Sequence, residues 1–379
     1  MNKVIKEVLS FIKKETVLAI AFILAVISSF FVAPSLDYLD YIDFRVLGIL
    51  LSLMIIMVAF QQIGIFDKIG TALLKQTTTV RQLCGVLILL CFFSSMLITN
   101  DVALITFVPF ALFTLKKANR EDKMIFVIVL QTVAANLGSM LTPTGNPQNL
   151  YLYSISEMSF SEFMFFMLPY TAISLAIIII TLFFCKDEKI DTTLLTSEKS
   201  VFKFDKKIKL QTTIYTLLFV LGILTVCHLI PYYILLAVVV VAVLLLDRRV
   251  LLKVDYCLIF TFICFFIFIG NIGNIESVKT TLDQAVKGNE VLIGIISSQA
   301  ISNVPATLML SGFTTEYKQL LLGVNIGGLG TLIASMASLI SYKMYAQNYN
   351  TTKGKYMFWF TVYNVGFLVL LFSFSVLID

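Results

Sequence analysis

The stretch SSMLITNDVALITFVPF, Ser94–Phe110, sets one carboxylate, Asp101, in the middle of an apolar run. A carboxylate in such surroundings binds a cation, titrates a proton, or serves as an N-cap for the helix that follows. Further along, SSQAISNVPATLML, Ser297–Leu310, aligns with the first stretch without a gap, matching Ser95, Thr99 and Asn100 to Ser298, Ser302 and Asn303. Only the first copy carries the acid, because Val304 stands where Asp101 would be. Two further segments carry residues that interrupt helices. TPTGNPQN, 142–149, sets Pro143 and Pro147 around Gly145 and Asn146, while NIGGLGTLIAS, 325–335, relies on glycine and runs to Ala334 and Ser335. The two align through Asn136/Asn325, Gly138/Gly327 and Thr142/Thr331. At each break a helix C-terminus offers carbonyls to a cation, and a helix N-terminus offers N–H groups to an anion.

Composition says what must hold these segments. Of 379 residues, 59% are hydrophobic and 13% charged, against about 25% charged in a soluble domain. Runs such as Val17–Ala33 and Tyr233–Leu246 approach the roughly 20 residues that cross a bilayer. They are uniformly apolar rather than alternating, which predicts helices and excludes a barrel. A helix broken within lipid must line a cavity or be buried in protein. Breaks paired between two halves of a chain mark the binding site of a secondary transporter. The net charge of +5 comes from lysines in the gaps between spans and does not point to nucleic acid. Six cysteines show no CxxC spacing and read as small buried hydrophobes. His228, the only histidine, reads as structural, and no HExxH motif or membrane-embedded His/Cys/Asp cluster points to an enzyme. A channel, the other class considered, would carry rings of charge or repeated filter carbonyls.

Charge orders the topology. The gaps 34–43, 155–162 and 228–233 lack lysine and arginine. Most of the 28 basic residues fall in the N-terminus, 116–123, 186–209, 247–253 and 343–355, together with Lys68, Lys75 and Arg81. The positive-inside rule makes the second set cytoplasmic. Both ends of 82–115 are then cytoplasmic and both ends of 291–313 are outside, so the two alignable segments enter as hairpins from opposite faces. The predicted fold is an all-α polytopic membrane protein with an inverted repeat of two units, about nine crossings plus two re-entrant hairpins. The first unit covers 17–185, with hairpin 82–115 and a broken transmembrane helix at 123–155. Residues 186–230 form a cytoplasmic linker and a connecting helix. The second unit covers 231–379, with hairpin 291–313 and broken helix 317–346. Residues 1–16, lysine-rich and weakly apolar, are expected to lie at the interface as a helix rather than to be a cleaved signal. The N-terminus is expected in the cytoplasm and the C-terminus outside.

The paired Ser-x-x-x-[Ser/Thr]-Asn tips, each followed by a broken span with Asn-x-Gly…Thr, resemble the ion transporter superfamily. It includes arsenite/antimonite permeases, NhaD-type sodium/proton antiporters and divalent-anion/sodium symporters. The resemblance covers both repeats and their order. It implies one Na+ site at Ser95, Thr99, Asn100 and the Gly145 backbone, and a second at Ser298, Ser302, Asn303 and the Ala334 backbone. It places substrate among Asn100, Asp101, Asn146, Pro147, Asn303 and Ser335, and implies an elevator motion and a homodimer. Where the symporters have Ser-Asn-Thr triplets, this chain has Asp101 and Val304. A dianion facing Asp101 in a low-dielectric pocket is disfavoured. The expected function is a secondary active transporter of a bacterial plasma membrane, a reading helped by the Ile-, Lys-, Phe- and Asn-rich usage. It would move an arsenite-like oxyacid or Na+, with H+ or Na+ as coupling ion, Asp101 as coupling acid and no cofactor. Na+-coupled uptake of di/tricarboxylate or sulfate is the alternative.

Overall fold

A computed structural model of the chain describes residues 15–74, 77–190 and 206–378. The interfacial helix expected over 1–16 and much of the linker 186–209 lie outside the described residues. The described chain is helical, and its only extended pairing is a bridge between Thr79 and Lys189.

The first helices are α1 (Thr16–Ser29), α2 (Phe44–Gln62) and α3 (Ile65–Leu74), and then the pair α4 (Val80–Ser94) and α5 (Asn100–Lys117). Next come α6 (Met124–Ser139) and α7 (Pro147–Ile155), separated by the proline-containing break, and the long α8 (Phe160–Phe183). After the connecting α9 (Lys206–Val226), the same succession begins again. It consists of α10 (Tyr232–Asp247), α11 (Tyr256–Gly273), α12 (Glu276–Val286), the pair α13 (Glu290–Ile301) and α14 (Asn303–Ser311), the broken pair α15 (Tyr317–Gly327) and α16 (Met336–Asn348), and α17 (Lys353–Ile378). Five of these, α2, α8, α9, α11 and α17, are long and apolar enough to cross a bilayer alone. The molecule is a polytopic helical membrane protein.

One pair of elements was not expected. Helices α3 and α12 follow the second long helix of each succession, with 10 and 11 residues. They are too short to span and carry polar residues among the apolar ones, so they sit beside the long helices instead of crossing with them.

Contacts exchange between the two successions. Helix α1 packs on α11 as α10 packs on α2, and α5 packs on α16 as α14 packs on α7. Within each succession α4 lies on α6 and α13 on α15. Helix α8 gives a ruler, since 24 residues rise about 36 Å. Glu162 at its start pairs with Lys318 at 2.6 Å, beside the base of the α13–α14 pair, where Thr314 donates to Glu290 at 2.9 Å. Just past its end, Glu188 pairs with Arg120 at 2.6 Å, and its carbonyl accepts from the Val80 N–H at 2.8 Å. Those contacts hold the base of the α4–α5 pair. The two bases therefore lie at opposite ends of α8.

The centre of the molecule is α6, buried without interruption from Val127 to Ser139, and α15, buried from Leu320 to Gly327. Gln131 on α6 donates to the carbonyls of Leu87 and Phe107 at 3.0 and 3.3 Å, tying both arms of the first pair to that centre.

Candidate functional site

Helix α5 starts at Asn100 because the preceding Ser95–Thr99 turn leaves the helical path. Helix α14 starts at Asn303 after a single non-helical residue, Ser302, at φ 75° and ψ 153°. That is a left-handed backbone in a non-glycine residue, a conformation that costs on the order of 1–3 kcal/mol. Each tip meets the opposing break in the same way. The Asn100 N–H donates to the Gly145 carbonyl at 3.0 Å, and the Asn303 N–H donates to the Ala334 carbonyl at 2.9 Å. Thr142 donates its hydroxyl to Met96 O, and Thr331 donates to Gln299 O at 3.2 Å. The Gly145 N–H returns to Thr142 O and the Ala334 N–H to Thr331 O, both at 3.2 Å.

Side chains continue the pattern across the centre. Asn136 Oδ1 accepts from Ser335 Oγ at 3.0 Å, and its counterpart Asn325 Oδ1 accepts from Asn146 Nδ2 at 3.1 Å. Asn136 also accepts from Asn100 Nδ2 at 3.0 Å and donates to Gly328 O at 3.3 Å. Asn325 donates to Asn149 Oδ1 at 2.7 Å, while Asn146 donates to Ser139 Oγ at 3.1 Å. Asn146 and Ser335 cap α7 and α16, accepting from the N–H groups of Asn149 and Ala337 at 2.8 and 3.1 Å. Four half-helix N-termini, those of α5, α7, α14 and α16, thus gather around one buried network of amides and hydroxyls.

The structure brings Asn100, Asn146, Asn303 and Ser335 into this centre, all buried, with Pro147 at the first position of α7, where its missing N–H costs nothing. Ser95 and Ser298 are buried and donate to Phe92 O and Gly294 O within their own helices at 2.9 and 2.6 Å. Thr99 makes no capping bond. Ser302 donates weakly to Ala334 O at 3.4 Å. Asp101 is half-buried in the first turn of α5, and its Oδ1 is buried with no hydrogen-bond partner among the described residues. Among the described residues no lysine or arginine is buried in the centre. His228 is at the surface, 3.3 Å from Arg45 and stacked on Tyr153.

Sequence reasoning used Asn136 and Asn325 only to set register and overlooked Ser139, Asn149 and Gln299. Gln299 bonds both Gly327 O and Leu329 O, at 2.8 and 2.9 Å. The available signal was the occurrence of amides at matched positions of otherwise apolar helices. A cavity of about 200 Å³ reaches Ser302, Val304 and Pro305 from a mouth with Glu15, Asp255 and Lys343.

Helices interrupted in matched pairs around a buried, uncharged polar centre, on a polytopic helical frame, define a membrane transporter rather than an enzyme. Comparison with known proteins makes this specific. The chain belongs to the CitMHS family, described as citrate transporter, whose model matches residues 5–319. It is 32% identical over 326 residues to an uncharacterized transporter of Methanocaldococcus jannaschii, covering 85% of this chain and 86% of that protein. It is 31% identical over 309 residues to the inner membrane protein YbiR of Escherichia coli, covering 80% of each. A silicon efflux transporter of rice is 32% identical over 140 residues, 37% of this chain and 28% of that protein.

Proposed function

We propose that the chain is a secondary active transporter that moves a small uncharged oxyacid, a metalloid hydroxide of the arsenite or silicic acid kind, coupled to protons through Asp101. The carrying observation is the unpartnered, buried Oδ1 of Asp101 beside a polar centre in which no lysine or arginine of the described residues is buried. A buried carboxylate with an idle acceptor is a place to load and release a proton or a cation. The neutral hydroxide has donors for the amide oxygens and acceptors for the four helix N-termini, and needs no counter-charge. The rice relative's name, a silicon efflux transporter, fits a neutral hydroxide.

The exchanged contacts of the two successions, and hairpin bases at opposite ends of α8, support an inverted repeat with two re-entrant hairpins. Helices α1, α2, α10 and α11, which pack on one another, would form the fixed frame. The hairpins and broken helices would carry the site past it, elevator fashion.

The family's description, citrate transporter, favours a tricarboxylate as cargo, and the converging N-termini also suit an anion; with Na+ as coupling ion this is the second reading. Flux into proteoliposomes separates the two. Arsenite, silicic acid, citrate, succinate and Na+ are each offered at two pH values, with and without sodium. Proton-linked hydroxide flux, made pH-independent by Asp101→Asn without loss of folded protein, is the expected result. Citrate flux that requires sodium and ignores Asp101→Asn would overturn the first reading in favour of the second.

A further inference from the structure

We infer that the cavity below the second hairpin tip is the cytoplasmic vestibule of the transport path, and that Tyr151 is the gate closing its counterpart on the opposite face. The inference rests on the inverted repeat proposed above. The positions its test labels, Cys257, Leu150 and Ser154, lie outside the substrate assignment.

One face of α16 lines the cavity with Met336, Leu339, Ile340 and Lys343. Their i, i+3, i+4, i+7 spacing makes a single stripe, about 10 Å long at 1.5 Å per residue. The stripe runs from the hairpin tip to the face where Tyr349 donates to Glu121 at 3.2 Å. The opposite wall is the start of α11, with Cys257, Leu258 and Thr261, and the floor is Ser302–Pro305 at the start of α14. Two carboxylates and one ammonium at the mouth, Glu15, Asp255 and Lys343, make an entrance that suits a neutral solute or cation better than a polyanion.

The register that pairs Asn136 with Asn325 and Asn146 with Ser335 assigns the stripe a counterpart on α7, namely Pro147, Leu150, Tyr151 and Ser154. There the space is filled. Leu150 is 2% exposed. The Tyr151 hydroxyl lies 3.0 Å from Ser311 Oγ, and its ring packs on Phe262 and Phe266 at centroid distances of 6.4 and 5.7 Å. Ser311 ends α14, and Phe262 and Phe266 lie in the middle of α11, just past the Thr261 that walls the open cavity. The same two helices that wall the open cavity with their first turns therefore cover Tyr151 with positions farther along. Sliding α14 and its neighbours along α11 would close one end and free the other.

The test is thiol labelling in sealed vesicles of both orientations, using the full chain with Cys185, Cys227 and Cys264 replaced by serine. Cys84 and Cys91 are fully buried, so Cys257 reports the cavity. A membrane-impermeant maleimide is expected to label Cys257 about tenfold faster from the cytoplasmic side than from outside, following the population open to that side. With Cys257→Ser and Leu150→Cys, labelling from outside is expected to be slow. Adding Phe266→Ala, which removes the nearer ring contact between Tyr151 and α11, should speed it about fivefold. Should Leu150→Cys fail to fold, Ser154→Cys on the same stripe replaces it. Equal labelling of Cys257 from both sides, or no effect of Phe266→Ala, overturns the inference. Labelling needs no substrate, so a wrong substrate leaves these results standing. Proton-linked flux with symmetric labelling would strike the gate alone.

Discussion

The sharpest consequence of the central network concerns Asn136. It is buried, its Oδ1 accepts from Asn100 Nδ2 and Ser335 Oγ, and its Nδ2 donates to Gly328 O. Asn136→Ala removes three hydrogen bonds that join the start of α5, helix α6 and the break between α15 and α16. At a net ~1 kcal/mol each, the loss is about 3 kcal/mol, and it rises toward about 6 kcal/mol where the partners stay buried and unpaired. Asn325→Ala also removes three bonds, to Asn146, Asn149 and Leu321, and should cost a similar amount. A fair control is Asn364→Ala on α17, equally buried, whose side chain makes one bond, to Phe360 O at 2.9 Å. Its cost should not exceed about 1 kcal/mol. Unfolding followed in detergent, alongside flux in proteoliposomes, gives both quantities. Both central variants should be destabilised well beyond the control and lose transport. An Asn136→Ala protein that unfolds together with the control and still transports would refute the network as the joint between the start of α5 and the two breaks.

Other substitutions probe the same geometry. A Cβ on Gly138 would press into Phe92 O and Ser95 Oγ, and one on Gly327 would press into Ser298 Oγ and Ile295 Cα. Each alanine should therefore cost about 1–3 kcal/mol and abolish flux, whereas Gly366→Ala, with nothing within 4 Å, should change neither. Ser302→Gly relieves the positive φ and should add about 1 kcal/mol of stability while slowing transport, as measured by unfolding midpoint against flux. Just past the end of α8, the hydrogen bond from Cys84, with Lys123 and Arg81 nearby, holds the Cys185 thiol below the usual thiol range. Its thiolate accumulates as pH rises through that lowered pKa. Alkylation by a small permeant reagent, read by mass spectrometry, should therefore begin at lower pH than for a free thiol. Arg81→Gln should move the onset upward, and an unchanged onset would discard that cation as a cause.

The sequence announced the tips between α4 and α5 and between α13 and α14, and the two breaks, most clearly, because there matching residue types recur. Asn100 with Gly145, and Asn303 with Ala334, did come together, through backbone bonds of 3.0 and 2.9 Å. The short helices α3 and α12 escaped notice because 10 or 11 mixed residues leave only a weak hydropathy trace. Tyr151 was hidden in NLYLYS, where an aromatic reads as one more lipid-facing ring until Ser311, Phe262 and Phe266 are seen around it. Ser302 gave no hint of its positive φ, since strain of that kind belongs to the assembled tip. These gaps share a cause. The frame is symmetric in backbone bonds, which any residue can supply, so side chains have been free to diverge at matched positions. Asn146 answers to Ser335, Gly145 to Ala334 and Asp101 to Val304. A frame of that kind identifies a family without identifying its cargo. The differences between the halves, and above all the unmatched carboxylate of Asp101, are where this chain's own chemistry is written.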